Sequence, residues 1–507
     1  MRRADTVLKI AYIPLDNRPC NYDFILKAAK IKGIDIITPT EEKLGKFTTH
    51  GDVEYIRKWL MNLRNVDYLI LSIDMLAYGG LIASREMELN VDPYGFAESI
   101  REFKKNNSNC KVYAFNIIMR TSISVKDEKT YEYWKLINEY SFLAYNEHEN
   151  FSRIKELEKI IPKSILDGYL KARRRNNEVN NISIDLVNEG AIDFLVLGQE
   201  DCDKIGIHLL EQERLLTKIR ELGLEEKIMM MPGADEFGQI LFVRVLNDIS
   251  RMKIGRLVYD NDRLKYVIAQ YENIPIYETL DLHIKAAGFD INEVNDQIIL
   301  YVITPKIFDD IIWIDDDHYK YLEGVKAKDV YINDEELDAY IKDHKIIIFD
   351  LCHANGGWKE LIYFLSENDL LHEIYGYTAW NTASNSIGTA LLFYALLYEE
   401  NKDSKLFLEF LIERFYDDFL YQSIVRPKIN KILQKEGENI HLFREFKYNY
   451  NMILCELMKK HDEIIKKSIL NKPIKILENL QIKDYHIKCS FPWNRTFEIK
   501  VDVKVQI

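Results

Sequence analysis

The chain has 507 residues, of which 47% are hydrophobic and 29% are charged. This balance is typical of a globular protein with a large core, and it excludes a small disulfide-stabilised module and a largely disordered chain. Acidic residues exceed basic residues by 81 − 68 = 13, so the net charge of −13 would repel a phosphate backbone and predicts that nucleic acid is not a partner.

The first residues and the cysteines indicate the compartment. The N-terminal segment lacks the apolar core of a signal peptide, and no stretch approaches the roughly 18 apolar residues of a membrane span. The cysteines are widely spaced and form no CxxC pair: Cys20, Cys110, Cys202, Cys352, Cys455 and Cys489. Such spacing is typical neither of a disulfide framework nor of a zinc site. We therefore expect a cytoplasmic protein that does not contact a membrane.

Ten short apolar runs alternate with longer amphipathic stretches over most of the chain. This alternation is typical of βα units that build a parallel sheet, and several runs are apolar on both faces, as covered parallel strands are. The runs occupy residues 8–15, 34–38, 66–73, 111–119, 192–198, 227–233, 254–259, 298–304, 345–351 and 373–379.

These runs predict an α/β fold. We expect a TIM-like (β/α)8 barrel, with an open doubly wound parallel sheet as the alternative. Because a barrel needs only eight strands, at least two of the ten runs would be peripheral hairpins or edge strands. The runs 34–38 and 254–259 are the weakest strand candidates.

Two segments depart from the alternation. Residues 127–190 are long and charged and predict a helical insertion, with the basic cluster 173–175 exposed to solvent. Residues 401–507 predict a C-terminal appendage of helices followed by a small β structure. Residues 1–400 would then form a barrel-like catalytic domain, and its boundary depends on the polar segment 398–405.

Polar side chains follow most of the predicted strands. The loops after the carboxyl ends of parallel strands share one face of the sheet, which in barrels holds the active site. We therefore predict one pocket, lined by Asp16, Asn17, Arg18, Asp74, Tyr78, Arg120, Gln199, Glu200, Asp201, Asp235, Glu236, His353, Asn355, Trp380, Asn381 and Asn385.

Several of these residues also fit ordinary structural roles. Asp16 and Asn17 precede Arg18-Pro19 and could form a turn, and Asp235 could cap the helix that follows it. A single histidine such as His353 is more often a partly buried structural residue than a catalyst. These roles do not explain why acids, amides, arginines and tryptophan gather at the strand ends.

The pocket composition favours a sugar ligand. Carboxylates and amides bind hydroxyl groups, and an aromatic face such as that of Trp380 stacks on a sugar ring. Glycoside hydrolysis needs one proton-donating carboxyl and one carboxylate that stabilises or attacks the sugar carbon. The acidic doublets at 200–201 and 235–236 can supply both groups.

The doublet Asp235-Glu236 resembles that of substrate-assisted N-acetylhexosaminidases. The resemblance implies that Asp235 orients the acetamido group and that Glu236 protonates the glycosidic oxygen. If an enzyme nucleophile is used instead, Asp201 or Glu200 would partner Glu236, and the separation of the carboxyl groups would decide between retention and inversion. Asp16, Asp74 and Asp201 would hold hydroxyl groups, assisted by Arg18, Arg120 and the amides.

Seven longer motifs resemble a bacterial family of unknown function, DUF4127. They are IPLDNRPCN (13–21), LSIDMLAYGGLIASR (71–85), LGQEDCD (197–203), PGADEFG (232–238), FDLCHANGG (349–357), YTAWNTASNSIGT (377–389) and FPWNRTFEI (491–499). The family usually has GQDD where this chain has Glu200, which makes Asp201 the better catalytic candidate of the two. The resemblance extends to β-N-acetylgalactosaminidase-like glycoside hydrolases on TIM-like barrels.

The sequence thus predicts a glycosidase that acts on a small amino-sugar glycoside and requires no cofactor. One alternative is a metal-dependent hydrolase or lyase, with Asp74, Asp201, Asp235 and His353 as ligands. Another is a sugar-binding protein without turnover. The expected partner is a small carbohydrate, and the oligomeric state, a homo-oligomer included, stays open.

Overall fold

The computed structural model describes most of the chain, and the chain divides into two compact units. The first unit comprises residues 1–29 and 34–242, and the second comprises residues 30–33 and 243–507. All ten apolar runs contain a β-strand. The described residues are 8–124, 128–202, 204–305, 311–314, 334–398, 402–444 and 449–507.

The first unit contains a six-stranded sheet in which all neighbouring strands are parallel. Its strand order is β2-β1-β3-β4-β5-β6. The strands are β1 (Lys9–Ile13), β2 (Asp35–Ile37), β3 (Tyr68–Ser72), β4 (Lys111–Ile118), β5 (Phe194–Gln199) and β6 (Ile228–Pro232).

Helices connect these strands, as a parallel sheet requires. They are α1 (Asp23–Lys32), α2 (Val53–Asn62), α3 (Ile73–Tyr78), α4 (Leu81–Ser84), α5 (Phe96–Asn106), α6 (Glu128–Leu143), α7 (Glu147–Ile160), α8 (Lys163–Asn188), α9 (Ile207–Glu221) and α10 (Phe237–Ser250). Helix α10 contains the boundary between the two units.

Alternating side chains of the first sheet enter different parts of the core. Ala11, Leu69 and Leu195 belong to one large apolar cluster that also contains residues of the flanking helices. At the start of α10, Phe237 packs against Phe115 of β4, with ring centroids 6.0 Å apart. A side chain at Gly198 of β5 would collide with the Phe237 ring, so this glycine permits the close approach of α10. This contact fixes the residues just before Phe237 near the strand ends.

Helices α6, α7 and α8 occupy the segment in which the insertion was predicted, and they share a small apolar core. The prediction that its basic cluster is solvated is wrong for two of three arginines. Arg173 and Arg175 are buried, whereas Arg174 is exposed. Arg173 donates to Glu211 with Nε 2.9 Å from Oε1, and to the carbonyl oxygen of Arg120. The helix period turns these two guanidinium groups inward, where a carboxylate and carbonyl groups satisfy them.

The second unit contains a four-stranded parallel sheet in the order β12-β11-β9-β7 and smaller antiparallel pairs. Its strands are β7 (Ile254–Tyr259), β8 (Val267–Ala269), β9 (Val294–Ile303), β10 (Ile311–Ile314), β11 (Lys345–Asp350), β12 (Gly376–Thr378), β13 (Pro473–Ile474), β14 (Leu480–Gln481), β15 (Asp484–Ser490) and β16 (Lys500–Gln506).

Its helices cover the sheet and continue to the C-terminal hairpin β15–β16. They are α11 (Ile276–Ala286), α12 (Asp334–Asp343), α13 (Lys359–Glu367), α14 (Ala383–Tyr398), α15 (Ser404–Arg414), a π-helix (Phe415–Val425), α16 (Arg426–Lys435), α17 (Tyr450–His461) and α18 (Glu463–Ile469). The hairpin strands pair antiparallel over seven residues each.

The prediction of an α/β fold with parallel sheets is confirmed, but a closed eight-stranded barrel is not shown. Within the described residues the strands pair in two open parallel sheets, which is compatible with the doubly wound alternative. The two weakest runs form β2 and β7, and each is an edge strand of its sheet, as predicted. An edge strand pairs on one side alone, which is why a short or less apolar run suffices there.

The predicted boundary near residue 400 lies inside the second unit. Residues 399–401 of the polar segment on which that boundary depends lie outside the described residues. The division into a catalytic domain and an appendage therefore stays a prediction. Among the helices of the described ranges, none has both the length and the apolar character needed to cross a bilayer.

Candidate functional site

The carboxyl edge of the first sheet gathers charged side chains from successive strand ends. Asp16 and Arg18 follow β1, Arg120 follows β4, and the acidic doublets follow β5 and β6. Most of these side chains are buried, so each charge depends on a partner in the cluster. Their hydrogen bonds divide the edge into two networks.

The first network is centred on Arg18. Its Nε lies 2.9 Å from Oδ2 of Asp16, and its Nη1 lies 2.9 Å from Oδ2 of Asp235. Asn21 donates to the same two carboxylates, with Nδ2 2.9 Å from Oδ1 of Asp16 and 3.3 Å from Oδ1 of Asp235. One guanidinium thus ties the loop after β1 to the loop after β6.

This network defines what Asp235 does. Burial raises the pKa of Asp235, and the Arg18 guanidinium opposes that rise. Both oxygens of the Asp235 carboxylate accept from Arg18, so the side chain is directed at Arg18 and not at the first turn of α10. Asp235 therefore positions Arg18. This role differs from the helix cap that the sequence also allowed.

Glu236 lies directly before α10 and is fully buried. Its Oε2 accepts from the backbone N–H of Ala234, 3.2 Å away. The sequence predicts Glu236 as the proton donor. That role stays a prediction for a carboxyl group that solvent does not reach in this conformation.

The second network contains Arg85, Arg120, Glu200 and Asp201. Arg85 forms a buried ion pair with Glu200, and Arg120 forms a partly exposed ion pair with Asp201 at 2.7 Å. Burial lowers the pKa of Arg85, and the nearby Arg120 guanidinium lowers it further. Asp201 and Arg120 keep 30% and 21% of their side-chain surface exposed. They are therefore two charged groups of this edge that a ligand can reach.

The backbone of Asp201 is also unusual. Its φ is +20°, a conformation that residues other than glycine rarely adopt. Such a conformation costs free energy and persists only when the surrounding structure enforces it. Residues held in this way occur often at functional sites. This observation gives Asp201 a distinction that the neighbouring Glu200 does not share.

Asp74 lies beneath the same edge and is fully buried. Its Oδ2 accepts from the backbone N–H of Ile117 at 2.9 Å. Ile117 is on β4, beyond the point where the pairing of β4 with β3 ends. Burial raises the pKa of Asp74 to about 7, and the backbone hydrogen bond and Arg85 oppose the rise. Its Oδ1 and the hydroxyl of buried Tyr78 have no hydrogen-bond partner in the described part of the chain. Asp74 is thus a carboxyl group that stays protonated close to neutral pH.

Two other predicted residues have framework roles in the first unit. Gln199 is buried, donates to the carbonyl oxygen of Glu200 at 2.9 Å and accepts from Gln212 at 2.8 Å. The backbone N–H of Asn17 donates to the carbonyl oxygen of Gly45 at 3.1 Å. These bonds fix the loops after β5 and β1.

The second unit has its own cleft at the carboxyl end of its sheet. The cleft is lined by the last residue of β8 and by residues that follow β8, β9, β11 and β12: Ala269, Gln270, Pro305, Leu351, Cys352, His353, Ala354, Thr382, Ala383 and Ser386. His353 is the residue of the sequence prediction that lines this cleft. That the two edges share one pocket stays a prediction.

Buried carboxylates hold the loops around this cleft. Asp350 accepts from the backbone N–H of Trp358 at 2.7 Å and from the Tyr377 hydroxyl at 2.9 Å, and burial raises the pKa of Asp350 to about 6. Asp418 in the π-helix accepts from the backbone N–H of Ala379 at 2.9 Å. Its own carbonyl oxygen accepts from Gly357 at 2.9 Å. Asp350 and the carbonyl oxygen of Asp418 therefore hold the loop after β11, and the carboxylate of Asp418 holds the loop after β12.

The remaining predicted residues of the second unit are mainly structural. The backbone N–H of Asn355 donates to the carbonyl oxygen of Asn381 at 2.8 Å, and both residues have positive φ. Asn385 forms a capping box with Thr382 at the start of α14. Trp380 is mostly buried, and its ring lies 5.9 Å from that of Phe497.

Sequence reasoning missed part of both edges. In the first unit it omitted Asn21, which binds both carboxylates of the Arg18 network. In the second it omitted Arg414, whose Nη1 lies 2.8 Å from Asp418 and 3.2 Å from Asp417. An arginine three and four residues before an acidic doublet on a helix is the signal that could have identified this buried triad.

The described residues contain no group of three or more His, Cys, Asp or Glu side chains arranged to hold a metal ion. In particular, Asp235 is engaged by Arg18, and Asp201 is engaged by Arg120. The metal-ligand set proposed from the sequence is therefore not assembled in the first unit as described.

The motifs that form both edges belong to one family pattern. The profile of the family described as "Protein of unknown function (DUF4127)" matches residues 10–502. The chain belongs to the DUF4127 family. No curated protein and no solved structure matches the chain. The DUF4127 match runs through both units, so the charged edge and the cleft both lie within the residues that the family profile covers.

Proposed function

We propose that this DUF4127 chain is a glycoside hydrolase whose reacting carboxyl groups lie at the carboxyl edge of the first sheet. Such hydrolysis needs one carboxyl that carries a proton and one carboxylate that is ionised, held by different surroundings. The observation that carries the proposal is that the Arg85 guanidinium acts electrostatically on two carboxyl groups of different surroundings, fully buried Asp74 with its raised pKa and partly exposed Asp201.

Asp201 is assigned the role of the ionised carboxylate. It is ion-paired with Arg120, it is partly exposed, and its backbone is held in an uncommon conformation. A carboxylate in this setting can stabilise or attack a positively charged sugar carbon in the transition state. Arg120 orients the group.

The proton donor is assigned to Asp74 on the basis of its pKa. A donor must be protonated at the working pH, and burial raises the pKa of Asp74 to about 7. Because Asp74 is fully buried, its unpartnered Oδ1 can meet a glycosidic oxygen only when the substrate displaces neighbouring side chains. Glu236, the donor predicted from the sequence, is the competing assignment.

Asp235 and Arg18 support the site without touching the reacting atoms. With both oxygens engaged, Asp235 is not arranged to orient an acetamido group, so the structure gives no support for substrate assistance. An amino-sugar glycoside is the substrate class implied by the resemblance to N-acetylhexosaminidases. A panel of amino and non-amino sugars decides this point.

The test is hydrolysis of aryl and alkyl glycosides by the full chain and three variants. Asp201→Asn should lower kcat/KM by about 100-fold or more for every substrate. Asp74→Asn should lower turnover of alkyl glycosides strongly and that of aryl glycosides with acidic leaving groups weakly, because such leaving groups need little protonation. Glu236→Gln should leave the turnover of alkyl and aryl glycosides unchanged or lower both by the same factor.

Asp193→Asn is the matched control. Asp193 lies at the opposite end of β5 and pairs with Lys104 at 2.7 Å, so the same charge change falls outside the site. Leaving-group dependence in Glu236→Gln instead of Asp74→Asn would move the donor role to Glu236. Full activity of a folded Asp201→Asn variant would reject the proposed site.

A noncatalytic sugar-binding protein is the second candidate. It is favoured by the observation that Glu236 and Asp74 are both fully buried, while Arg120 and Asp201 are partly exposed and can bind hydroxyl groups. Calorimetric titration with the same sugars distinguishes the two functions. Binding without hydrolysis of any glycoside in the panel would establish the second.

A further inference from the structure

Two cysteines of the second unit lie side by side. Cys455 is on α17 and Cys489 is on β15, and their Sγ atoms are 3.3 Å apart. The Cys455 Sγ also lies 3.3 Å from the carbonyl oxygen of Cys489. Both residues are partly exposed, whereas the other four cysteines are buried. The pair is therefore accessible to a small reagent in solution.

The local structure explains why the two thiols meet. Cys489 is four residues after Tyr485 on β15, so both side chains lie on one face of the hairpin. Tyr485 of that face packs against Tyr416, with ring centroids 6.1 Å apart. Helix α17 begins at an Asn449 cap, and the carboxamide of Asn451, next to its first residue, accepts from the backbone N–H of Phe491 at 2.9 Å. The backbone thus holds α17 and the end of β15 in register beside each other.

We propose that Cys455 and Cys489 are a modification site at which a low-molecular-weight disulfide oxidises the pair to an intramolecular disulfide. The thiolate of one cysteine attacks the small disulfide and releases one thiol, and the second cysteine then displaces the other thiol from the mixed disulfide. Two protein thiols are oxidised, one small disulfide is reduced to two thiols, and the two protons leave with the released thiols. The reaction needs no other reactant.

The geometry requires little movement. A disulfide has a sulfur–sulfur length of about 2.05 Å, so the two sulfurs must approach by about 1.2 Å, which rotation of the side chains can supply. Burial and the adjacent Cys455 thiol raise the pKa of Cys489. This rise disfavours the Cys489 thiolate as the first attacking group.

The bond would anchor a segment that reaches the cleft region of the second unit. The connection 491–499 starts two residues after Cys489 and carries Phe497, which contacts the ring of Trp380. Gln422 of the π-helix donates to the carbonyl oxygen of Phe497 at 3.0 Å. Oxidation therefore modifies the chain directly before the segment that packs on a residue following β12.

The experiment treats the reduced full chain with oxidised glutathione. We expect the intact mass to fall by about 2 Da, because two hydrogens are lost, and the number of thiols in the unfolded chain to fall from six to four. Peptide mapping should place the cross-link between the peptides of Cys455 and Cys489. The midpoint of thermal unfolding should rise by about 5 °C on oxidation and return on reduction.

Cys455→Ser and Cys489→Ser are the informative variants, and Cys110→Ala is the matched control. Each serine variant should form a glutathione adduct at the remaining cysteine and show no loss of 2 Da, whereas Cys110→Ala should cross-link as the unchanged chain does. Six thiols after oxidation, separate glutathione adducts on both cysteines, or a cross-link to any other cysteine would overturn the proposal. Mass and thiol counts do not depend on any hydrolytic activity.

Discussion

The carboxyl edges of the two sheets use buried charge in different ways. At the first edge, carboxylates pair with arginines, as Asp16 and Asp235 do with Arg18. At the second edge, Asp350 and Asp418 accept from backbone N–H groups of the loops that they hold, and Asp418 also pairs with the buried Arg414. The lining of the second cleft is then left to uncharged and small side chains and a histidine.

The difference suggests two uses of buried charge: the first edge presents charged groups to a ligand, and the second edge uses them to stabilise the fold. An arginine–carboxylate network keeps ionised groups at an edge where two of them, Asp201 and Arg120, remain partly exposed. A buried carboxylate that accepts from loop amides has its oxygens occupied and is not available to a ligand. We therefore expect substitutions at the first edge to affect ligand chemistry as well as stability, and those at the second to affect mainly stability.

The largest effect is expected from Arg18→Met. Removal of the guanidinium leaves Asp16 and Asp235 buried without their partner, which should lower the free energy of unfolding by about 3–5 kcal/mol. Chemical denaturation measures it. Arg101→Met is the control, because Arg101 is 42% exposed and pairs with Glu189 at the surface, where such pairs contribute below about 1 kcal/mol. Equal losses in the two variants would contradict the importance of the network.

Asp418→Ala tests the second edge. It removes the acceptor of the Ala379 N–H and one partner of buried Arg414, so we expect a loss of about 2–4 kcal/mol in the free energy of unfolding. Asp502→Ala on the exposed side of β16 is the matched control and should change it by less than about 0.5 kcal/mol. A stable Asp418→Ala variant would show that the loops are held by other contacts.

The pH dependence of stability should differ between the edges. An Asp whose folded pKa is raised keeps a proton that the unfolded chain has lost, so stability falls as pH rises from about 4 to that pKa, by at most about 1.4 kcal/mol per pH unit. The window ends at about 7 for Asp74 and about 6 for Asp350.

Asparagine variants at these two positions separate the windows. Urea denaturation between pH 4 and 8 should show a shallower slope for both variants between pH 4 and 6, but only for Asp74→Asn between pH 6 and 7. Identical profiles for Asp74→Asn and the unchanged chain would show that Asp74 is ionised throughout and would remove its proposed donor role.

The smallest effect is expected from Asn385→Ala. Loss of the capping box at the start of α14 should lower the free energy of unfolding by about 0.5–1 kcal/mol, and Asn385→Asp should restore it because an aspartate carboxylate can also accept from the backbone N–H of Thr382. Thermal unfolding measures both. A larger effect on sugar binding than on stability would return Asn385 to the ligand site.

Much of the fold follows from local pattern. Each apolar run forms a strand because it is short, rich in β-branched residues and flanked by polar turns. A buried strand is the usual way to bury such a run. The weak runs at 34–38 and 254–259 became edges for the same reason. Closure of a sheet, however, depends on curvature and on pairing between strands distant in sequence, and the alternation of apolar runs contains neither.

The candidate site was predicted less completely than the fold. Strand-end position identified Asp16, Arg18 and Asp235, but no pattern indicates that Arg18 binds both carboxylates, since that contact joins residues 217 positions apart. Asn21 and the Arg414 triad were missed because they lie on or beside helices, where a polar residue is assumed to face solvent. The same assumption failed at Arg173.

The π-helix Phe415–Val425 gives one residue control of two loops. Asp418 binds Ala379 through its side chain and Gly357 through its carbonyl oxygen. Because one residue of this helix bonds to both segments, a displacement of Asp418 would disturb the loops after β11 and β12 together.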